Sequence, residues 1–282
     1  MKRIQNVFQR LAVCVLAIAV VANVAAQTAA PGAAKVVRIK GPARYTTGNN
    51  VWLPLKTGAL LKPGTLIQTS TERGSFVDLV LGDGEVPIAR PAMAGEVRSR
   101  SYTPNADQNI VRLFENTVLK VDALTSMETG AGIVSETQLD LQRGRIFGNV
   151  KKMSAASRYE VKLPNGVAGI RGTIYTLSAE GVVQVLVGSV VVAYVAADGT
   201  TVTKVVMGGQ QFDAKTGEVT AIPDFDQKLM VKLAKESRIG PNAPATTFTV
   251  DHTIYYVSPT IGHNGNAGGN GGGDFSLGGI GP

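Results

Sequence analysis

Hydrophobic positions in the central part of the chain recur every second residue. In Arg158 to Leu163 (RYEVKL), Tyr159, Val161 and Leu163 fall on one face and Arg158, Glu160 and Lys162 on the other. Val183, Val185 and Val187 keep the same period. Alternation over short β-branched and aromatic runs predicts strands with one buried face. Comparable runs begin at Val36 (VVRIK) and return at VWLPL from Val51, LIQT from Leu66, SFVDLVL from Ser75, IVRLF from Ile110, TVLKVD from Thr117 and QLDLQRGRIFGNV from Gln138. Pro63-Gly64 and Asp83-Gly84 read as turns between them. Together these runs predict an all-β domain over residues 36–220, solenoid-like or sandwich in arrangement.

One template repeats within these runs. Leu79-x-Leu81-x-x-Gly84-x-Val86, Leu139-x-Leu141-x-x-Gly144-x-Ile146 and Val183-x-Val185-x-x-Gly188-x-Val190 each lead two inward apolar residues into a glycine turn and a new strand. The template reads either as a weak internal repeat or as the general grammar of hairpins, and its unequal intervals do not make a regular solenoid.

The rhythm breaks at 88–109, where Pro91, Gly95 and Pro104 mark an insertion loop. After the polar turn DAKTGEV, Asp224 is expected to cap a short helix over 224–240, with Phe225, Leu229 and Leu233 on its apolar face. Lys228, Lys232, Lys235 and Arg238 would face solvent or the C-terminal end, and Gly240-Pro241 stops the helix. Residues 241–282 end in GHNGNAGGNGGGDFSLGGIGP and are expected to form a flexible glycine-rich tail.

The N-terminus changes the compartment. Lys2, Arg3 and Arg10 precede the apolar run Leu11 to Ala22, and Val24-Ala25-Ala26 supplies small residues before Gln27. This is the tripartite pattern of a signal peptide over residues 1–26, followed by a small-residue linker over 27–35. The expected location is periplasmic or secreted, with no transmembrane helix in the mature chain, because the apolar run is too short to span a bilayer. The single cysteine, Cys14, lies in that run, so the mature chain has no disulfide and no thiolate chemistry. Without Lys2, Arg3 and Arg10, 25 basic residues face 21 acidic ones. That balance is too mild for a nucleic-acid partner.

Candidate chemistry is sparse. The two histidines, His252 and His263, lie outside the β-rich block, which disfavours a serine–histidine enzyme and a metal site with Asp251 or Asp274. Asp78, Asp83 and Glu85 are the carboxylates an envelope hydrolase would use, but on strands bounded by turns they read as solvent-face or turn residues. No catalytic residue, cofactor or metal is expected. Arg143, Arg145, Lys151 and Lys152, continuing to Arg158, form the best candidate for contact with an anionic glycan or an acidic partner; the competing reading makes them outward strand positions. Arg171-Gly172-Thr173 is the most distinctive triplet. Gly169 and Gly172 point to a sharp turn, and Arg171 reads either as a carboxylate-binding donor or, preferentially, as a structural partner of a buried acceptor.

Leu163-Pro164-Asn165-Gly166-Val167-Ala168-Gly169-Ile170-Arg171-Gly172-Thr173-Ile174-Tyr175 resembles the signature of FecR-type (ferric-citrate regulator) domains. The strand–glycine–strand element around Gly188 and the closing Gly208-Gly209-Gln210 fit the same pattern, as do Gly58, Leu60, Gly64, Leu66 and Thr69 upstream. The resemblance covers roughly Val36 to Val219. It implies a FecR-type β-domain in which Gly169, Arg171, Gly172, Thr173, Gly188, Gly209 and Gln210 are structural signature residues. Family members that regulate iron uptake carry a cytoplasmic anti-sigma segment and a membrane anchor, where this chain has a signal-like segment. The resemblance therefore implies a stand-alone exported form: a non-enzymatic protein that binds, scaffolds or senses a partner, an envelope protein or glycan, in the bacterial cell envelope. A surface structural or glycan-binding protein is the alternative.

Overall fold

The computed structural model describes residues 29–49, 51–82, 103–130, 132–196 and 198–239, with the backbone of Thr247–Phe248. The signal segment, most of the 88–109 loop, His252, His263, Asp83 and Glu85 lie outside the described residues, as does nearly all of the glycine-rich tail.

The N-terminal half contains β1 (Ala30–Pro31), β2 (Ala33–Lys40), β3 (Ala43–Thr46), β4 (Leu53–Pro54), β5 (Leu60–Leu61), β6 (Leu66–Thr69), β7 (Phe76–Gly82), β8 (Asn109–Leu113), β9 (Val118–Thr129) and β10 (Gly132–Arg143). The second half continues with β11 (Arg145–Val150), β12 (Arg158–Leu163), β13 (Gly166–Ile170), β14 (Thr173–Ser178), β15 (Val182–Val187) and β16 (Ser189–Val195). It closes with β17 (Thr201–Met207), β18 (Gln210–Asp213), β19 (Glu218–Ala221), helix α1 (Asp224–Glu236) and β20 (Thr247–Phe248). The linker expected over 27–35 instead holds β1 and the start of β2. Ala34 is buried against Leu61 and Leu81, and burial of small apolar side chains overrides a composition that reads as linker.

The strands form two ten-stranded sheets. Sheet A runs β17-β16-β13-β12-β10-β9-β6-β3-β4, and sheet B runs β19-β18-β15-β14-β11-β8-β7-β2-β20. Val36, Ile67, Leu79, Val111, Leu119, Leu139, Val161, Tyr175, Val185 and Phe212 fill the space between them. Each such side chain contributes about 1.5–3 kcal/mol on burial. The alternation read in β12 holds, with Tyr159, Val161 and Leu163 inside. In β15 it fails at Val187, because a bulge opposite Ile174 and Tyr175 shifts the register.

At its two described positions, Gly144 and Gly188, the glycine template does not make hairpins. Gly144 joins β10 of sheet A to β11 of sheet B, and Gly188 joins β15 of sheet B to β16 of sheet A. Both glycines are sheet-to-sheet corners with φ of +79° and +86°. Hairpins within a sheet fall between corners, for example at Pro164-Asn165 and at Ala179 to Gly181. The corners lie at opposite ends of the sandwich. Asn116 and Gly144 turn at one end, called here the Thr117 end. Gly172, Gly188 and Gly208-Gly209 turn at the other, the Thr173 end. The switch between ends follows the loop 151–157, which brings β12 alongside β10 in parallel.

Helix α1 covers part of the outer face of sheet B. Leu233 and Ala234 pack on Phe147 and Ile174, and Met230 is buried. Phe225, expected on the buried face, is 78% exposed. The apolar face runs through 230, 233 and 234, about a quarter turn from the 225–229–233 row. Asp224 is the first helical residue, not a cap: Pro223 occupies the N-cap without a side-chain bond, and Asp224 and Asp226 in the first turn complement the dipole. Arg38 closes the other end, donating to the carbonyls of Glu236 and Ser237 at 2.6 and 2.8 Å. Among the described residues no helix is long and apolar enough to cross a membrane.

Candidate functional site

The corner at Arg171-Gly172-Thr173 is built by its neighbours. Gly172 has φ +63°, a left-handed conformation that a side chain disfavours. Thr173 is fully buried and its Oγ1 donates within 2.8 Å of the Ser189 carbonyl, so the corner leaving sheet A is tied to the one returning to it. A Cβ on Gly188 would overlap the Gly172 carbonyl and come within 2.9 Å of Thr173 Oγ1. The amide of Gly208 donates to the Gly188 carbonyl at 2.9 Å, and Gln210 accepts from the Met207 amide at 2.9 Å. Gly209 turns there with φ +83°. Three corners therefore stack.

The other end repeats the device with a different sequence. Asn116 takes the left-handed position (φ +56°) and Thr117 the place of Thr173. Thr117 Oγ1 lies 3.1 Å from the Arg145 carbonyl and accepts from the Arg145 amide at 3.2 Å. A Cβ on Gly144 would overlap Thr117. Glu115-Asn116-Thr117 is thus the counterpart of Arg171-Gly172-Thr173. The signal was present in the sequence, as a left-handed-tolerant residue followed by threonine, but the intervening residues hide it.

Gly169 differs from the other signature glycines. It lies within β13, has no left-handed φ, and an added Cβ would meet only the Val191 carbonyl at 3.7 Å. The turn read at Gly169 and Gly172 belongs to Gly172 alone.

Arg171 is exposed and makes no hydrogen bond or ion pair with a described residue. This corrects its reading as a structural partner, because Thr173 and the backbone hold the corner without it. The backbone of Gly172 abuts Lys152, whose Cα would lie 3.3 Å from an added Cβ. Lys151 is fixed through its amide, which donates to the Gln108 carbonyl at 2.6 Å. Lys151, Lys152 and Arg171 consequently share the Thr173 end with their charges exposed. Arg143 and Arg145 stand at the opposite end of β11, about 17 Å away at the rise of a strand. The basic run is therefore two groups. Arg158, further along, pairs with Glu136, which raises its pKa further.

Asp78 is neither a solvent-face residue nor an acid poised for catalysis. It is fully buried on β7, within 2.7 Å of both Arg38 Nε and Arg112 Nε, and Arg112 stacks on Phe76 at 4.1 Å. A lone charge inside the apolar run FVDLVL was the sequence signal for such a buried pairing. Inside the sandwich, the hydroxyls of Tyr159 and Tyr175 lie 3.1 Å apart. Burial pushes both phenols above the ordinary tyrosine range.

A family model described as FecR protein matches residues 98–191. That span runs from ahead of β8 into β16 and holds both the Thr117 and the Thr173 corners, so this stretch of the chain is similar to FecR protein. The upstream Gly58–Thr69 pattern and the closing Gly208-Gly209-Gln210 lie beyond it. Among solved structures, the chain is similar to two crystal structures each described as a "putative anti-sigma factor" from Parabacteroides distasonis. The first is 16% identical over 56% of this chain and 64% of that chain, with a TM-score of 0.33. The second is 17% identical over 47% and 59%, with a TM-score of 0.34. The match thus spans less than two thirds of either neighbour's own length, and both are too distant to define a shared fold. No curated protein matches.

Proposed function

We propose that the protein is a non-enzymatic, exported component of the bacterial cell envelope whose FecR-type stretch docks a partner at the Thr173 end. The observation that supports this reading most directly is Arg171. Its guanidinium is exposed and makes no hydrogen bond or ion pair among the described residues, while the corner beneath it is clipped by Thr173, Gly188 and Ser189. A rigid support under an exposed bidentate donor suits recognition of carboxylates, and Lys151 and Lys152 add charge beside it. The partner class is an envelope protein with an acidic face; an anionic glycan would meet the same three cations. Export rests on the N-terminal segment of basic, apolar and small residues.

Fractionation and affinity capture from envelope extracts test the reading, comparing the native chain with a Lys151→Glu, Lys152→Glu, Arg171→Glu variant. The expected result is an envelope location and a reproducible, salt-sensitive partner lost in the variant. A cytoplasmic location, or capture unaffected by the three reversals, would overturn it.

A further inference from the structure

A second site lies at the other end of the molecule, on the outer face of sheet B. Helix α1 packs on Phe147 and Ile174, but towards the Thr117 end the outer face at Thr176 and Ser178 borders open space. The result is a groove of about 260 Å³ between β14, β15 and the helix. Its apolar lining consists of Phe114 and Val182 on the sheet side and Leu229, Met230 and Leu233 on the helix.

Polar groups are placed around this apolar space with both signs of charge. Arg145 is stacked on Phe114 with its guanidinium carbon 4.4 Å from the ring centroid, and it forms no ion pair with a described residue. Asp226 accepts from Gln184 Nε2 at 2.9 Å through Oδ2, which leaves Oδ1 available. Glu180 accepts from the Ser178 hydroxyl at 3.2 Å through Oε2, leaving Oε1. The floor supplies an independent sign of a ligand. Thr176 is 6% exposed, lines the groove, and its hydroxyl has no hydrogen-bond partner among the described residues. A buried hydroxyl left unpaired costs about 1–3 kcal/mol, which a polar ligand atom would recover.

We infer that this groove binds a free apolar α-amino acid as its zwitterion. The ligand's carboxylate would lie against Arg145 and Thr176, its ammonium against Asp226 and Glu180, and its side chain against Leu229, Met230 and Leu233. An amine alone would leave the guanidinium unanswered, and a carboxylate alone would face two acids. The volume is below the usual range for drug-sized ligands, of roughly 300–1,000 Å³, and suits a single residue. The site is independent of the basic corner at the Thr173 end.

Titration calorimetry on the full chain with L-leucine tests the inference. Two half-ligands serve as controls: 4-methylpentanoate, which lacks the amine, and 3-methylbutylamine, which lacks the carboxylate. The expected result is saturable leucine binding, with each half-ligand and each of the variants Arg145→Gln, Asp226→Asn and Thr176→Val weaker by at least about ten-fold. The Lys151, Lys152, Arg171 reversal should bind leucine as the native chain does, which separates this site from the docking reading. Absence of leucine binding to the folded native chain, or a half-ligand binding as tightly as leucine, would overturn the assignment.

Discussion

The Thr173 hydroxyl reaches the carbonyl of Ser189 at 2.8 Å, joining two corners that are sixteen residues apart in the chain. Replacing Thr173 with valine keeps the shape but leaves that part-buried carbonyl short of a donor. The expected cost is about 1–3 kcal/mol, read as a lower midpoint in urea with an unchanged slope. Serine at the same position should restore most of it.

Glycines of one signature should respond differently. Gly188→Ala must place a Cβ at φ +86° against the Gly172 carbonyl, for a loss of about 2–4 kcal/mol. Gly169→Ala meets nothing closer than 3.7 Å in ordinary strand geometry, so thermal melts should show a change within about 1 kcal/mol. Equal losses at the two positions would mean the corner does not carry the strain described.

Asp78 holds two buried arginines. Asp78→Ala removes the buried carboxylate from both, and the expected destabilisation is about 3–5 kcal/mol by denaturant titration. A hydrolase reading would predict lost catalysis in a stable protein instead.

The tyrosine pair predicts an alkaline limit. Both phenols are held protonated by burial, above the ordinary value of 10.0, so the fold binds these protons more tightly than the unfolded chain does. Their contribution is complete below pH 10.0 and falls away as pH rises from there towards the folded-state values. Melting between pH 8 and 11 should show this loss, and the Tyr159→Phe, Tyr175→Phe double variant should reduce it. Tyr159→Phe alone leaves the Tyr175 hydroxyl unpaired and should cost about 1–3 kcal/mol at neutral pH.

Acid acts elsewhere. Burial pushes the Asp122 carboxyl up, but the Lys120 and Lys162 ammoniums, each 2.8 Å away, outweigh it and hold the group below 3.8. Stability from this cluster is complete above that value and is lost as pH falls through the lowered one. The double variant Lys120→Met, Lys162→Met should move the acid-unfolding midpoint upward.

The strands were legible because local chemistry fixes them. Two-residue alternation in β12 places Tyr159, Val161 and Leu163 inside whichever sheet they join. What alternation cannot state is the sheet a strand belongs to. Gly144 and Gly188 look like hairpin glycines because hairpins and sheet-to-sheet corners both need a left-handed residue between apolar strands. Their distinction lies in Thr117 and Thr173, partners from distant sequence. The expected helix face holds at Leu229 and Leu233 and fails at Phe225 for a related reason: Phe225 satisfies the spacing, but the helix axis relative to Phe147 and Ile174 decides how far the covered stripe extends. Of the two groups of cations, only the turn through 151–157 shows that Lys151 and Lys152 stand with Arg171 and not with Arg145. The groove at Thr176 had no local signature, since its walls come from β11, β14, β15 and α1.

The change of corners from one end to the other also sets what can be cut from this protein. The stretch of residues 98–191 that is similar to FecR protein spans the changeover at 151–157 but stops inside β16 and omits β7, which pairs with β8, as well as β17. Expressed by itself it would present unpaired backbone along both margins and lose Arg38 and Asp78, leaving Arg112 without its carboxylate. The recognisable stretch and the smallest autonomous folding unit are therefore different objects, and a minimal fragment must reach from β2 to α1.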